Sequence, residues 1–514
     1  MTSPFAGLRR NGRSPMERRK ARTEDVTSVM GALRDPRRLR TEVLAGLVVA
    51  LALIPEAISF SIIAGVDPRV GLFASFTMAV SIAFLGGRPA MISAATGAVA
   101  LVIAPVMRDH GMDYLIATVI LAGVIQVLFG VLGVARLMRF VPRSVMVGFV
   151  NALAILIFLA QLPYLTDVPW AVYVMAAVGI GIMVVLPRLT TVVPAPLVAI
   201  VVLTTVTVAF AIDVPDVGDQ GELPDSLPTL FLPDVPLTLE TLQIIGPFAV
   251  GMALVGLMES LMTAKLVDDV TDTHSDKTRE AWGQGAANVI TGFFGGMGGC
   301  AMIGQTMINV KASRARTRLS TFLAGLFLLI LVVGFGDTIG RIPMAALVAV
   351  MVMVSVGTFD WHSVRPGTLR RMPKSETTVM LATVVVTVAT GNLAYGVIAG
   401  VLVAAVMFVN RVAHFTQVVE VDRPDEDTRV YAVVGELFWA SSNDLVYQFD
   451  YTGDPRNVVI DLSQSHIWDA STVATLDAIT TKYAEKGKSV TITGLNEASS
   501  ERHARLAGHL NSGG

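Results

Sequence analysis

Residues Thr291–Val310 read TGFFGGMGGCAMIGQTMINV, and the fold of the chain turns on them. The stretch is apolar enough to lie in a membrane, yet glycines stand at 292, 295, 296, 298, 299 and 304. A continuous membrane helix is weakened by that much glycine. Non-helical backbone at membrane depth persists only where protein or a wet cavity satisfies its polar groups. The pattern therefore predicts an extended piece over about Met297–Met302, then a short helix from near Ile303 to Lys311. Such a helix exposes free N–H groups and the positive end of its dipole inside the bilayer, which suits an anion.

A second stretch has the same layout. Phe84–Ala98 reads FLGGRPAMISAATGA, against FFGGMGGCAMIGQTM at Phe293–Met307. Both run Phe-x-Gly-Gly, then a segment containing Ala-Met-Ile, then small polar residues that open a helix. Paired broken segments in matching halves point to a transporter's binding site. The plainer alternative is two glycine-rich helices packed closely, but the glycines do not fall on one helical face.

The 514 residues are 53% hydrophobic and 16% charged, and apolar runs of spanning length recur from Leu44 to Phe415. Most of the chain is therefore expected to be integral membrane protein. A single cysteine, Cys300, excludes an internal disulfide and is taken as a small filler of the broken stretch. The seven histidines show no ligand spacing, so no metal site is expected beyond an alkali cation. Arg9–Arg40 is polar and arginine-rich and lacks the apolar region of a signal peptide. There is no P-loop or nucleophile motif, so neither an enzyme nor an organic cofactor is expected, and nothing points to nucleic acid.

About fourteen hydrophobic segments are legible, seven between Leu44 and Ile212 and seven between Leu242 and Val412. The basic tail before the first segment places the N-terminus in the cytoplasm. The loops then placed inside carry Arg136, Arg139, Arg143, Arg188, Lys311, Arg314, Arg316, Arg318, Arg365, Arg370, Arg371 and Lys374. The long loop placed outside, Asp213–Glu240, has several acids and no lysine or arginine. An odd number of segments per half inverts one half against the other. The two broken helices then enter from opposite faces and their N-termini meet near the midplane. The expected domains are a basic cytoplasmic tail at 1–41, a transmembrane transporter at 42–415 with repeats about 42–212 and 241–415, and a cytoplasmic α/β domain at 416–514. In the last, Val430–Ser441, Asn457–Ser463 and Ser489–Leu495 read as strands. Ser471–Lys486 reads as an amphipathic helix with Val473, Leu476, Ile479 and Tyr483 on one side, and Glu497–His509 as a last helix.

Acids inside membrane segments are costly and are functional candidates. Glu56 stands in LALIPEAISF, and Glu259 stands in MALVGLMESLMTAK with Thr263 one turn on. They occupy comparable places in the first segment of each half. The plainer role for either is a protonated glutamate bonded to a neighbouring helix. Lys265, Asp268 and Asp269 read as a solvated helix end. A carboxylate beside an anion site stops repelling once it is protonated or paired with a cation. Anion and cation then bind better together than alone, which is the basis of symport. Thr263 and carbonyls of the Met297–Met302 stretch are candidates to complete an oxygen cage for sodium, with a proton as the alternative.

From about Leu44 to the end, the chain resembles the SulP anion transporters. The resemblance is carried by ALIPEAISFSIIAG at 52–65, ISAATGAVA at 92–100, the ESLMTAK and GQGAANVITGFFGG segments and the C-terminal domain. It implies a polytopic α-helical membrane protein with a seven-plus-seven inverted repeat, a transport and a gate domain, and a cytoplasmic STAS domain. It implies small anions such as sulfate, bicarbonate or chloride as substrate, and a homodimer with STAS as a contact, multi-pass in the cell membrane with both termini cytoplasmic. By position it implies Glu56, where many members have glutamine, Phe60 and Thr96 at the substrate, to which the two helix N-termini add Gly97, Ala98, Ile303, Gly304 and Gln305 as candidates. It implies Glu259 and Thr263 at the cation, to which the backbone of the second break adds Ala301, Met302 and Ile303 as candidates. Two departures stand out. Gly304 and Gln305 replace a serine and an arginine common in eukaryotic members, and Ile303 replaces a threonine of the bicarbonate carriers, which removes an oxygen. Ser471 matches the context of a phosphorylated serine in related bacterial regulators, although a helix cap is the reading favoured here. The alternatives are a nucleobase–proton symporter of the same fold and a membrane-anchored STAS signalling protein.

Overall fold

The computed structural model describes residues 27–133, 141–190, 194–421 and 427–509. The tail as far as residue 26 and the loop arginines Arg136 and Arg139 lie outside the described residues. Contacts divide the chain at Gly400–Val401, inside a long helix, whereas the composition changes after His414.

The first unit, together with the helix that the division cuts, carries the expected two sets of seven. The first set is α1 (Pro36–Ala64), α2 (Pro68–Leu85), a two-residue strand β1 (Ser93–Ala94) leading into α3 (Gly97–His110), α4 (Met112–Val131), α5 (Arg143–Leu159), α6 (Trp170–Leu189) and α7 (Ala195–Ala209). The second is α8 (Leu239–Thr271), α9 (Lys277–Phe293), the strand β2 (Cys300–Ala301) leading into α10 (Ile303–Met307), α11 (Arg318–Gly334), α12 (Met344–Thr358), α13 (Lys374–Thr390) and α14 (Leu393–Ala413). Seven of these helices are long and apolar enough to cross a membrane, and α7, α11 and α12 are shorter apolar helices. The protein is therefore a multi-pass membrane protein. Of the remaining four helices, α3 and α10 follow the breaks, α9 carries the buried amides Gln284 and Asn288, and α13 opens with the polar residues Lys374, Ser375 and Glu376.

The packing repeats between the halves. α1 lies on α11 as α8 lies on α4, and α2 lies on α11 as α9 lies on α4. In the other bundle α5 lies on α13 as α12 lies on α6. One bundle is thus α1–α4 with α8–α11, the other α5–α7 with α12 and α13. Without a hydrophobic drive between helices in lipid, close approach of small residues holds them. A Cβ on Gly285 would lie 2.5 Å from the Gly123 carbonyl oxygen, so α9 and α4 touch backbone to backbone.

The two broken segments meet as an antiparallel ladder that pairs Ser93 with Ala301 and Ala94 with Cys300. This register corrects the sequence match between them. The shared Ala-Met-Ile at 90–92 and at 301–303 is not structurally equivalent, because Ala90 sits in a turn with φ +61° while Ala301 lies in the ladder. Three matching letters had less influence than the turn geometry of two different glycine loops. After α10 the chain continues as one π-helical turn, Ile308–Ala312.

The second unit holds a four-stranded sheet of β3 (Gln417–Val421), β4 (Thr428–Leu437), β5 (Asn457–Ile467) and β6 (Ser489–Thr493) in that order. β3 and β4 are antiparallel, and β4, β5 and β6 are parallel. Helix α15 (Ala470–Ala484) buries the expected face, Val473, Leu476, Ile479 and Tyr483, in the core of the sheet, and α16 (Glu497–Leu506) follows β6. Two expectations are corrected. The strand expected over Val430–Ser441 ends at Leu437, because Ser441 Oγ folds back to bond the Phe438 N–H and a short helix, Trp439–Ser442, follows. Ser471 does not cap α15. Asp469 does, accepting from the Thr472 N–H, and Ser471 is exposed in the first turn. Asp469, two residues earlier, has the extended backbone of an N-cap, which turns its side chain onto the Thr472 N–H.

Candidate functional site

The breaks survive because side chains take over their backbone hydrogen bonds. At the second break the Asn288 amide holds both the N–H and the C=O of Gly299, at 2.8 and 3.0 Å. Asn288 is itself steadied by Gln126 of α4 at 2.8 Å, and Ser260 accepts from the Ala301 N–H. At the first break Ser75 accepts from Ala95 N–H, Thr306 from Ile92 N–H, and Asn309 donates to the Ala90 carbonyl. Gly299 has no alternative residue, since a Cβ there would sit 1.9 Å from the Ala94 carbonyl oxygen.

The ladder sets the two helix N-termini facing a single cavity of about 420 Å³ between the two bundles. Glu56 and Phe60 enter it from α1, Thr96 and Gly97 from the start of α3, and Glu259 from α8. Met302, Ile303, Gly304 and Gln305 come from the start of α10, and the opposite wall is formed by α5 and α12. Phe60 packs against the start of α3, where a Cβ on Gly97 would come within 2.8 Å of its ring. Thr96 is the N-cap of α3 and accepts from Val99 N–H at 3.3 Å. The N-cap of α10 is Met302, which offers no side-chain acceptor, so the first N–H groups of that helix are left uncapped. Glu56 of α1 and Gln305 of α10 line the same cavity.

Not every expected residue lines the cavity. Ala98 is fully buried behind it. Thr263 is also fully buried, and its hydroxyl donates to the carbonyls of Glu259 and Ala301, tying α8 to β2. Asp268, read as part of a solvated helix end, is ion-paired with Arg88 at 3.0 Å and Lys277 at 2.7 Å. Lys265 and Asp269 line a second cavity with Arg143 and Asp360, which shares Val150 and Ile303 with the first. Cys300 is more than a filler: its thiol donates to Glu259 Oε2 at 3.0 Å and lies 3.1 Å from Thr96 Oγ1. Asn288, Ser260 and Ser75 were missed as well. The available signal was an amide or hydroxyl inside a membrane segment, although Ser75 also bonds its own helix at the Gly71 carbonyl.

Chemically, the cavity combines two positive helix ends with two buried carboxyl groups, and among the described residues no lysine or arginine lines it. That arrangement can hold an anion only when the acids are neutralised.

The sequence matches the Sulfate permease family over residues 39–178 and 164–383, and the STAS domain over 419–512. It is 54% identical over 469 residues to the putative sulfate transporter YbaR of Bacillus subtilis, covering 91% of this chain and 97% of that one. Among solved structures, it is similar to the transmembrane domain of a cyanobacterium bicarbonate transporter, BicA, at a TM-score of 0.61 and 25% identity, covering 70% of this chain and 98% of that one. It also shares the fold of the murine Slc26a9 anion transporter in the inward-facing state, at a TM-score of 0.77 and 16% identity, covering 98% and 92%.

Proposed function

The chain belongs to the sulfate permease family, and from that premise we propose that it carries a small inorganic anion by secondary active transport, coupled to sodium or protons. The observation that supports this is the convergence of both helix N-termini and both glutamates, Glu56 and Glu259, on one cavity between two bundles. Rocking one bundle against the other would expose such a cavity to each side in turn. Sulfate is the first candidate, on the likeness to YbaR, and bicarbonate the second, on the likeness to BicA. The helix ends and Thr96 would hold the anion, and Glu56, protonated, would donate to it as a glutamine does.

For sodium the fit is partial. Glu259 supplies a buried carboxylate, and Thr263 Oγ1 and the Ala301 carbonyl supply two further oxygens already gathered by hydrogen bonds. Ile303 adds none. Hard cations need oxygen donors, so a proton on Glu259 is an equal candidate. The basic loops favour both termini in the cytoplasm, and Ser471, exposed on the STAS unit, is the candidate regulatory phosphosite. Uptake of labelled sulfate and bicarbonate by the purified protein in liposomes, under sodium or proton gradients imposed separately, tests the proposal. Absence of gradient-driven uptake of either anion would reject it.

A further inference from the structure

Three side chains form a continuous bridge between the two halves of the site. Thr96 Oγ1 lies 3.1 Å from Cys300 Sγ, and Sγ lies 3.0 Å from Glu259 Oε2. Thr96 caps α3 at the first break, Cys300 lies in the ladder at the second, and Glu259 is on α8. An independent observation says that Glu259 awaits a ligand. The residue is 8% exposed and lines the cavity, and its Oε1 has no hydrogen-bond partner among the described residues.

We propose that Cys300 is the positioning residue that couples cation and anion binding, by setting which way the Thr96 hydroxyl points. This rests on the assignment above of Glu259 to the cation and Thr96 to the anion. A thiol carries one hydrogen, a hydroxyl one hydrogen and two lone pairs, and an ionised carboxylate only accepts. With Glu259 bare and ionised, the S–H must point at Oε2. The Thr96 O–H then points at sulfur, and its oxygen presents lone pairs to the cavity, which an anion avoids. When a monovalent cation or a proton meets the charge of Glu259, the carboxyl is a weaker acceptor. The thiol then turns to donate to Thr96 Oγ1, and the hydroxyl hydrogen is released toward the cavity to donate to the anion. No bond to hydrogen breaks in the thiol or the hydroxyl; only their orientations change. The Val99 N–H on the other lone pair of Thr96 is undisturbed in both states. Among the described residues, Cys300 bonds Glu259, and Glu56 is the other ionisable group lining the same cavity.

The test uses the full chain in liposomes with labelled sulfate, or bicarbonate if that is the anion carried. Sodium is titrated at fixed pH in one arm, and pH is varied without sodium in the other. The wild-type KM for the anion should fall about tenfold between absent and saturating cation, within the roughly 5- to 150-fold range of coupled sites. In Cys300→Ala that ratio should fall several-fold, leaving only what the Glu259 charge exerts through space, while Cys300→Ser, which keeps a donor and an acceptor, should restore it. Wild-type dependence in Cys300→Ala would overturn the proposal, and so would a Cys300→Ser variant as uncoupled as Cys300→Ala, since that points to packing. Glu259→Gln separates the two levels. If it keeps the cation dependence, the assignment of Glu259 itself fails. If it loses the dependence and Cys300→Ala does not, the bridge alone fails. A second readout needs no variant: Cys300 is the only cysteine in the chain, so its S–H stretch is a single infrared band. Cation or acid should move that band to higher frequency as the acceptor weakens, and an unmoved band would contradict the bridge.

Discussion

The two broken segments do the same job with different means. The first ends in Thr96, whose hydroxyl caps a 14-residue helix, α3. The second ends in Met302, which caps nothing, and opens a five-residue α-helix that passes into a π turn. The first break is held by isolated hydroxyl and amide contacts from Ser75, Thr306 and Asn309. The second is clamped at a single residue, with Asn288 taking both backbone groups of Gly299. The inverted repeat therefore fixes where the two helix ends lie, and local side chains decide what each offers. The first offers a hydroxyl, the second bare N–H groups and a thiol. A symmetric scaffold thus presents an asymmetric site, and asymmetry is needed if the two halves are to bind ions of opposite sign.

If that comparison is right, damage to the second break should be the more severe. Gly299→Ala should cost on the order of 3 kcal/mol or more, as overpacking against backbone does, because the new Cβ meets the Ala94 carbonyl and no flexible side chain can move aside. Folded yield and thermal unfolding in detergent would show it. Gly304→Ala, with open space around its Cβ, should leave both unchanged. A well-folded Gly299→Ala protein would show that the ladder is not essential.

Asn288→Ala comes next, at about 2–3 kcal/mol, since it leaves two buried backbone groups unpaired. Its counterpart at the first break, Ser75→Ala, frees only the Ala95 N–H and should cost about 1 kcal/mol. Chemical or thermal denaturation of both variants tests the order, and equal losses would remove the distinction between a clamped and a loosely held break. The last expected effect is functional. Thr96→Val should raise the apparent KM for the anion about tenfold, the loss of one hydrogen bond to a charged acceptor of about 1.5 kcal/mol. Unchanged affinity would mean that the first break contributes no donor.

The second break was legible in the sequence because two physical demands conflict there: an apolar stretch of membrane length with glycines that no helix tolerates. Glu56 and Glu259 were legible for a similar reason, since charge at membrane depth is costly. The register between the breaks was not legible. Ala-Met-Ile suggested one alignment, but register is decided by the turns at Gly295 and Gly298, both with positive φ. The supporting side chains were also hidden, because their partners are remote. Asn288 meets Gln126 across 162 residues, and Glu259 meets Cys300 across 41. In the STAS unit the periodicity gives the helix and its buried face, but it does not distinguish Ser471 from Asp469 as the cap.

The central claim is that Glu259 and the two helix ends belong to one coupled site. Gradient-driven sulfate or bicarbonate accumulation by Glu259→Gln in liposomes tests it most directly, because the substitution keeps the shape and removes the charge a cation needs. Accumulation should fall to the protein-free baseline while the folded yield stays at the wild-type level. Accumulation that still follows the imposed sodium or proton gradient as in the wild type would contradict it.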